Sequence, residues 1–173
     1  ALGSNEITLL ELVRAFSIFP NDGVLKEIQI NQQTKNKCKQ VIKTDTARII
    51  CDFLSDKAAQ SLGFGNAKVF NTEYPSIFKT GTANQYQDII ALAATKEYTV
   101  GVWLGNLNGE TVIKKTGSSI PALIARNILD YLTLPKLEQL DKKESLKFHQ
   151  PEQYTKTQIC TLSGCKPNQN CPS

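Results

Sequence analysis

The chain has 173 residues, room for one domain and a short tail at about 100–200 residues per domain. Apolar residues make up 40% and charged residues 21%, an ordinary balance for a soluble globular protein, and no apolar run approaches a bilayer span. The net charge of +4 lacks the dense basic face with interleaved aromatics that would indicate nucleic acid; Lys35, Lys37, Lys39 and Lys43 read as a solvated loop, with an anionic surface as the alternative contact.

Thr8-Leu9-Leu10-Glu11 fits a capping box, and Leu9, Leu10, Val13, Phe16, Ile18 and Phe19 give the apolar stripe of a core helix ended by Pro20-Asn21-Asp22-Gly23. A short strand is expected from Val24 to Ile30, then a lysine-rich turn and an extended piece at Val41-Ile42. Asp45-Thr46 reads as a second cap, before a helix from Ala47 to Leu62 that turns Ile49, Ile50, Phe53, Leu54 and Ala58 inward and closes at Gly63-Phe64-Gly65-Asn66. Ile77 to Thr82, Ile89 to Thr95 and Tyr98 to Gly105 read as an antiparallel meander, linked by Ala83 to Gln87 and a tight turn near Lys96-Glu97. The near-continuous apolar run Ile89 to Ala94 implies cover on both faces of the sheet, and Trp103 reads as a core aromatic. Asn108-Gly109 marks a surface turn. After Gly117-Ser118-Ser119, a helix from Ile120 to Leu132 has Pro121 in its first turn and Ile120, Leu123, Ile124, Ile128 and Tyr131 as its core face. Beyond Pro135, Lys136 to Lys147 reads as a marginal helix or linker.

Five cysteines leave one unpaired in any all-disulfide scheme. Cys51 lies in an apolar helical pattern and reads as a buried thiol, and Cys38 stands apart from the rest. Cys160, Cys165 and Cys171 cluster in a tail rich in Gly, Pro and Asn, where a disulfide of open connectivity would suit an extracytoplasmic protein. A zinc site is the rival, but the single histidine, His149, is distant and no paired Cys-x-x-Cys spacing occurs, so no metal is expected.

The chemistry-bearing stretch is Ile77-Phe78-Lys79-Thr80-Gly81-Thr82-Ala83, a strand whose end carries a lysine, two hydroxyls and a glycine before a polar turn. Lys-Thr-Gly is one of three signatures of the penicillin-recognising serine acyl-transferases, the others being Ser-x-x-Lys and Ser-x-Asn. With Gly81-Thr82, the segment Tyr98 to Asn106 and the opening Ala1 to Leu12, it resembles the class A penicillin-binding proteins over Ala1 to about Leu134. The likeness is nearest the type 1C subgroup, in which a Cys-containing tail follows the transpeptidase domain.

The resemblance implies an α+β fold, an antiparallel sheet covered by helices on both faces. It would be an incomplete penicillin-binding/β-lactamase-like transpeptidase fold, divided as 1–134 for the C-terminal half of the domain and 135–173 for linker and tail. It implies that Lys79 supplies positive charge at the site of proton transfer. Thr80 and Thr82 would hydrogen-bond the substrate or β-lactam carboxylate, Gly81 would admit the substrate backbone, and the Thr82 N–H would be half of an oxyanion hole. No cofactor is implied. Partners would be peptidoglycan stem peptides, β-lactams, the missing N-terminal half of the domain, and another copy through an exposed strand edge; no nucleic acid is expected. The location would be the extracytoplasmic, periplasmic side of the inner membrane, with the anchor outside this chain.

Two Ser-x-x-Lys strings occur. Ser76 and Lys79 fall on a strand, where residues three apart point to opposite faces, and Ser163 and Lys166 lie in a Gly, Cys and Pro context that forms no helix. Ser-x-Asn occurs nowhere. The expectation is a fragment of a D,D-transpeptidase, inactive alone. The alternatives are a non-catalytic penicillin-recognising sensor or wall-peptide module and, more weakly, a β-lactamase-like hydrolase.

Overall fold

The computed structural model describes residues 6–30, 37–57, 60, 68–83, 86–112, 120–138, 144–155, 157–160 and 162–169. The chain begins with helix α1 (Leu9–Phe16), where the Thr8 hydroxyl accepts the Glu11 N–H (3.2 Å) and the Glu11 carboxylate accepts the Thr8 N–H (3.0 Å). The Thr8 hydroxyl also donates to the Glu11 carboxylate (2.7 Å), and this bond first, then that from the Thr8 N–H, holds the Glu11 carboxyl below its ordinary range. The turn that follows uses left-handed Asp22 (φ 53°) and Gly23 (φ 85°).

A two-stranded antiparallel ribbon pairs β1 (Val24–Lys26) with β2 (Cys38–Gln40). It is shorter than the expected Val24 to Ile30, and Ile28 and Ile30, 50% and 97% exposed, bury no apolar face that would extend it. The second extended piece falls before Val41-Ile42, not on it. Helix α2 (Thr44–Ser55) is capped at Lys43 without a side-chain bond. Asp45 does not cap it; its carboxylate accepts the backbone N–H groups of Glu152 and Gln153 (3.1 and 3.2 Å). The buried positions are Ala47 and Cys51, one turn apart, with Leu54 beside them, whereas Phe53 is 70% exposed. α2 ends at Ser55, where Asp56 is extended, and the expected Gly63 to Asn66 stop lies outside the described residues.

After a 3-10 turn (Lys68–Phe70) comes the main sheet: β3 (Ile77–Thr82), β4 (Asp88–Ala94) and β5 (Thr99–Gly105), antiparallel in that order. The pairs Ile77↔Ala94, Thr82↔Ile89 and Asp88↔Gly105 fix the register. The β4–β5 turn closes with Thr95 N–H to the Tyr98 carbonyl (2.9 Å). Side chains alternate across β4. Ala91 and Ala93 meet Phe78 and, from the last helix, Ala122, Ala125 and Leu129; Leu92 and Ala94 meet Ile77, Phe16 and Cys51 on the other side. The sheet is therefore sandwiched, with α1 and α2 on one face and the last helix on the other.

That last helix, α3 (Ile120–Leu137), runs through Pro135, five residues past the expected end, and Lys136 holds its C-terminal turn by bonding Glu97 on the β4–β5 turn (2.5 Å). It is also rotated from expectation. Pro121, Ala122, Ala125, Leu129 and Thr133 are buried, while Ile120, Leu123, Ile124, Ile128 and Tyr131 are exposed. Alanines against the alanines of β4 allow close helix-sheet approach, and larger side chains would hold the two apart.

Residues 144–153 return across α2. Leu146 is buried, Phe148 packs beside Phe16 and Cys51, and Arg48 binds both Asp22 (3.0 Å) and Glu152 (2.8 Å).

Candidate functional site at the β3 edge

β3 pairs on one side with β4 and has no strand on its other side among the described residues. Its buried half, Ile77 and Phe78, roots the strand in both cores, and its outer half, Lys79 to Thr82, is exposed or half-exposed. Alternation places Lys79 and Gly81 on the α1/α2 side and Thr80 and Thr82 together on the α3 side. The Lys79 ammonium donates to the Thr80 carbonyl (2.5 Å) and has no carboxylate partner among the described residues. Among the described residues, nothing lies within 4 Å of the place a Gly81 side chain would take. An extended peptide can thus lie along this edge, two hydroxyls on one flank and a cation on the other.

The loop beyond β3 is held by Ala83 N–H to the Asp88 carbonyl (2.8 Å) and Tyr86 N–H to the Ala83 carbonyl (3.1 Å), with Tyr86 at φ 57°. Trp103 is not a core residue. It shares the row Gly81–Ile90–Trp103 across the sheet, is 36% exposed, and donates its indole N–H to the Asp88 carboxylate (2.8 Å). Neither Tyr86 nor Asp88 stood out as a site residue in the sequence. Their signal is the spacing of an aromatic and an acid just past Thr82, which only the folded loop explains.

Neither Ser-x-x-Lys string makes a nucleophile-base pair. Ser76 is buried and shares a hydrogen bond with the Thr72 hydroxyl (2.7 Å), away from exposed Lys79. The Ser163 hydroxyl accepts the Cys165 N–H (3.3 Å) in a turn closed by Cys160 N–H to the Cys165 carbonyl (2.8 Å). Cys165 carries a free, exposed thiol, so no disulfide joins it to Cys160; Cys171 lies outside the described residues. Cys51 is buried as expected, and burial pushes its thiol pKa up to about 12, far from a reactive thiolate. No cluster of metal-ligating side chains occurs among the described residues, and His149 is bonded to Asp22 and Lys96.

The family described as Penicillin binding protein transpeptidase domain matches residues 1–130. The chain belongs to the penicillin-binding protein transpeptidase family. It is 21% identical over 176 residues to penicillin-binding protein 1A of Clostridium novyi (strain NT), covering 95% of this chain and 19% of that protein. It is 30% identical to penicillin-binding protein 4 of Bacillus subtilis (strain 168) over 118 residues, 61% of this chain and 18% of that one. Penicillin-binding protein 1C of Escherichia coli (strain K12) is 24% identical over 124 residues, 70% of this chain and 16% of its own length. The chain thus spans less than a fifth of each of these curated relatives. The crystal structure of penicillin-binding protein 1A from Haemophilus influenzae shares the fold, with a TM-score of 0.73 at 18% identity, over 96% of this chain and 31% of that one. β3 and its Lys-Thr-Gly lie inside the family match at residues 1–130, whereas the returning segment 144–153 lies beyond that family match.

Proposed function

We propose that these residues are part of a peptidoglycan D,D-transpeptidase of the class A, type 1C-like kind, acting on the extracytoplasmic side of the membrane, and that β3 is its substrate edge. The observation that carries this reading is a Lys-Thr-Gly-Thr strand that, among the described residues, has an unpaired edge and open space over Gly81, inside the family match. A D-alanyl stem peptide or a β-lactam lies along the edge. Thr80 and Thr82 donate to its carboxylate, and Lys79 supplies the positive charge that favours both carboxylate binding and proton transfer. The Thr82 N–H contributes one oxyanion donor, a group whose loss costs about 3–4 kcal/mol in the barrier.

The nucleophilic serine and the Ser-x-Asn loop are supplied from outside these 173 residues, since Ser76 and Ser163 cannot serve. The serine is acylated, D-alanine leaves, and the amine of a neighbouring stem peptide resolves the acyl-enzyme; the residues need no metal or organic cofactor for these steps. The test is intact mass before and after excess benzylpenicillin. This chain should gain no adduct. A longer chain of the same protein should be acylated, and its Lys79→Ala variant should react on the order of 100-fold more slowly. An adduct on the 173-residue chain would overturn the assignment of the nucleophile.

A further inference from the structure

A cleft of about 470 Å³ lies at the end of the sheet away from Thr82. Ala94 pairs with Ile77 and Ile89 with Thr82, so Ala94 sits about 17 Å along the strand direction from the Thr82 end of β3, and Lys96 lies two residues beyond it. One wall is α2 with Ser55, one is the Lys96 turn, and one is the returning segment with Lys147 and Phe148, over a floor that includes Pro75. We propose that this cleft binds a phosphate group, inorganic or carried as a monoester.

The charges around it are not equally committed. Arg48 is taken by Asp22 and Glu152. Lys96 is different: its ammonium bonds His149 Nε2 (3.1 Å), and an ammonium can only donate, so that ring nitrogen is the acceptor. The His149 Nδ1–H is then donated to Asp22 (2.7 Å). Lys96 is thereby held by an imidazole nitrogen, with no carboxylate partner among the described residues. Lys147 pairs with Glu144 (2.7 Å), but both side chains are largely exposed, at 62% and 82%, and such a pair is weakly held. An entering oxyanion can draw Lys147 across and bond both ammonium groups, and the Ser55 hydroxyl can turn to it from the Asp52 carbonyl (3.1 Å).

The tetrahedral oxygens of a phosphate suit donors converging from several walls, here two ammonium groups and the Ser55 hydroxyl, better than the two coplanar oxygens of a carboxylate, and the bidentate fork of Arg48 is already engaged. Asp52 and Glu144 also line the cleft, so it is no diffuse sink for anions; a ligand must bond the ammonium groups directly. Phe148 and Pro75 offer apolar surface to the organic part of a monoester.

The test uses the full 173-residue chain, titrated with sodium phosphate and, at matched ionic strength, with sodium chloride, following backbone amide resonances. Phosphate should give saturable shifts at Lys96, Phe148 and His149 that chloride does not. Lys96→Gln should weaken phosphate about tenfold, the effect of one charge-assisted hydrogen bond. Lys96→Arg, which retains the charge and guards against simple misfolding, should stay within about threefold, and Glu144→Gln should tighten binding by freeing Lys147. Glycerol phosphate binding more tightly than inorganic phosphate identifies a monoester as the ligand. Equal response to chloride and phosphate, or an unchanged Lys96→Gln, overturns the site. So does attachment to phosphatidylglycerol vesicles without binding of either soluble phosphate.

Discussion

Gly23 holds φ 85°, and a side chain there would run into the Ile42 carbonyl and the Gln40 amide that close the α1–β1 turn. Gly23→Ala should therefore cost about 2–3 kcal/mol in urea unfolding, more than a glycine-to-alanine change in an unstrained loop. Thr133 presents the opposite case. Its hydroxyl is fully buried in α3 with no hydrogen-bond partner among the described residues, so Thr133→Val, of nearly equal shape, should raise stability by about 1 kcal/mol. Thr8 and Glu11 were legible from sequence because both halves of the capping box lie within one turn. Trp103 was not. Its apolar ring argued for burial, but the partner of its N–H, Asp88, is chosen by strand register, and its position on the open row beside Gly81 depends on where α1 stops covering the sheet.

At the scale of elements, the three strands of the main sheet were legible within a residue or two, since β-branched and apolar alternation bounded by turn residues is a local signal. The orientation of α3 was not. Its sequence is apolar around much of its circumference, and the larger side chains looked like the core face until the small residues of β4 decided otherwise. Ala125→Leu should thus destabilise by about 1–3 kcal/mol through overpacking, whereas Leu123→Ala, on the exposed side, should change little; thermal unfolding of the two variants checks the rotation. The tie between α2 and the returning segment has a pH signature. Burial raises the Asp22 carboxyl, but bonds from Arg48 and His149 outweigh it and hold the carboxyl below its ordinary value of 3.8. A depressed carboxyl stabilises the fold above its unfolded pKa and loses that contribution as pH falls through the folded value. As pH falls through about 4 and below, the stability gap between the native chain and Asp22→Asn, read by urea unfolding, should accordingly shrink. A gap that grew over that acid range would contradict the assigned bonds.

For the whole molecule, two unpaired strand edges matter, those of β3 and β5 among the described residues. The β3 edge carries Lys79, whereas β5 presents Thr99–Gly105 without a charged side chain along its length. Such an edge recruits another strand. At high concentration the isolated chain is expected to self-associate or to capture a complementary segment of a longer chain. A monomer by light scattering, with every β5 amide protected from exchange, would contradict that. The sandwich of helices about the meander could be read from the sequence, but the return of 144–153 could not, because charged Lys136 to Lys147 looks like a linker and the contacts that hold its continuation lie on α2, a hundred residues earlier: the Arg48 to Glu152 bond spans 104 positions.

That span also orders events in time. The meander pairs neighbours in sequence and needs only short loops to close, while the His149 bond to Asp22 closes 127 positions at once. Closing a longer loop carries a larger entropic cost and is repaid only after the ends have met. The sheet with its helices should form first and the returning segment dock last, so refolding followed at Trp103 should run ahead of refolding followed at His149.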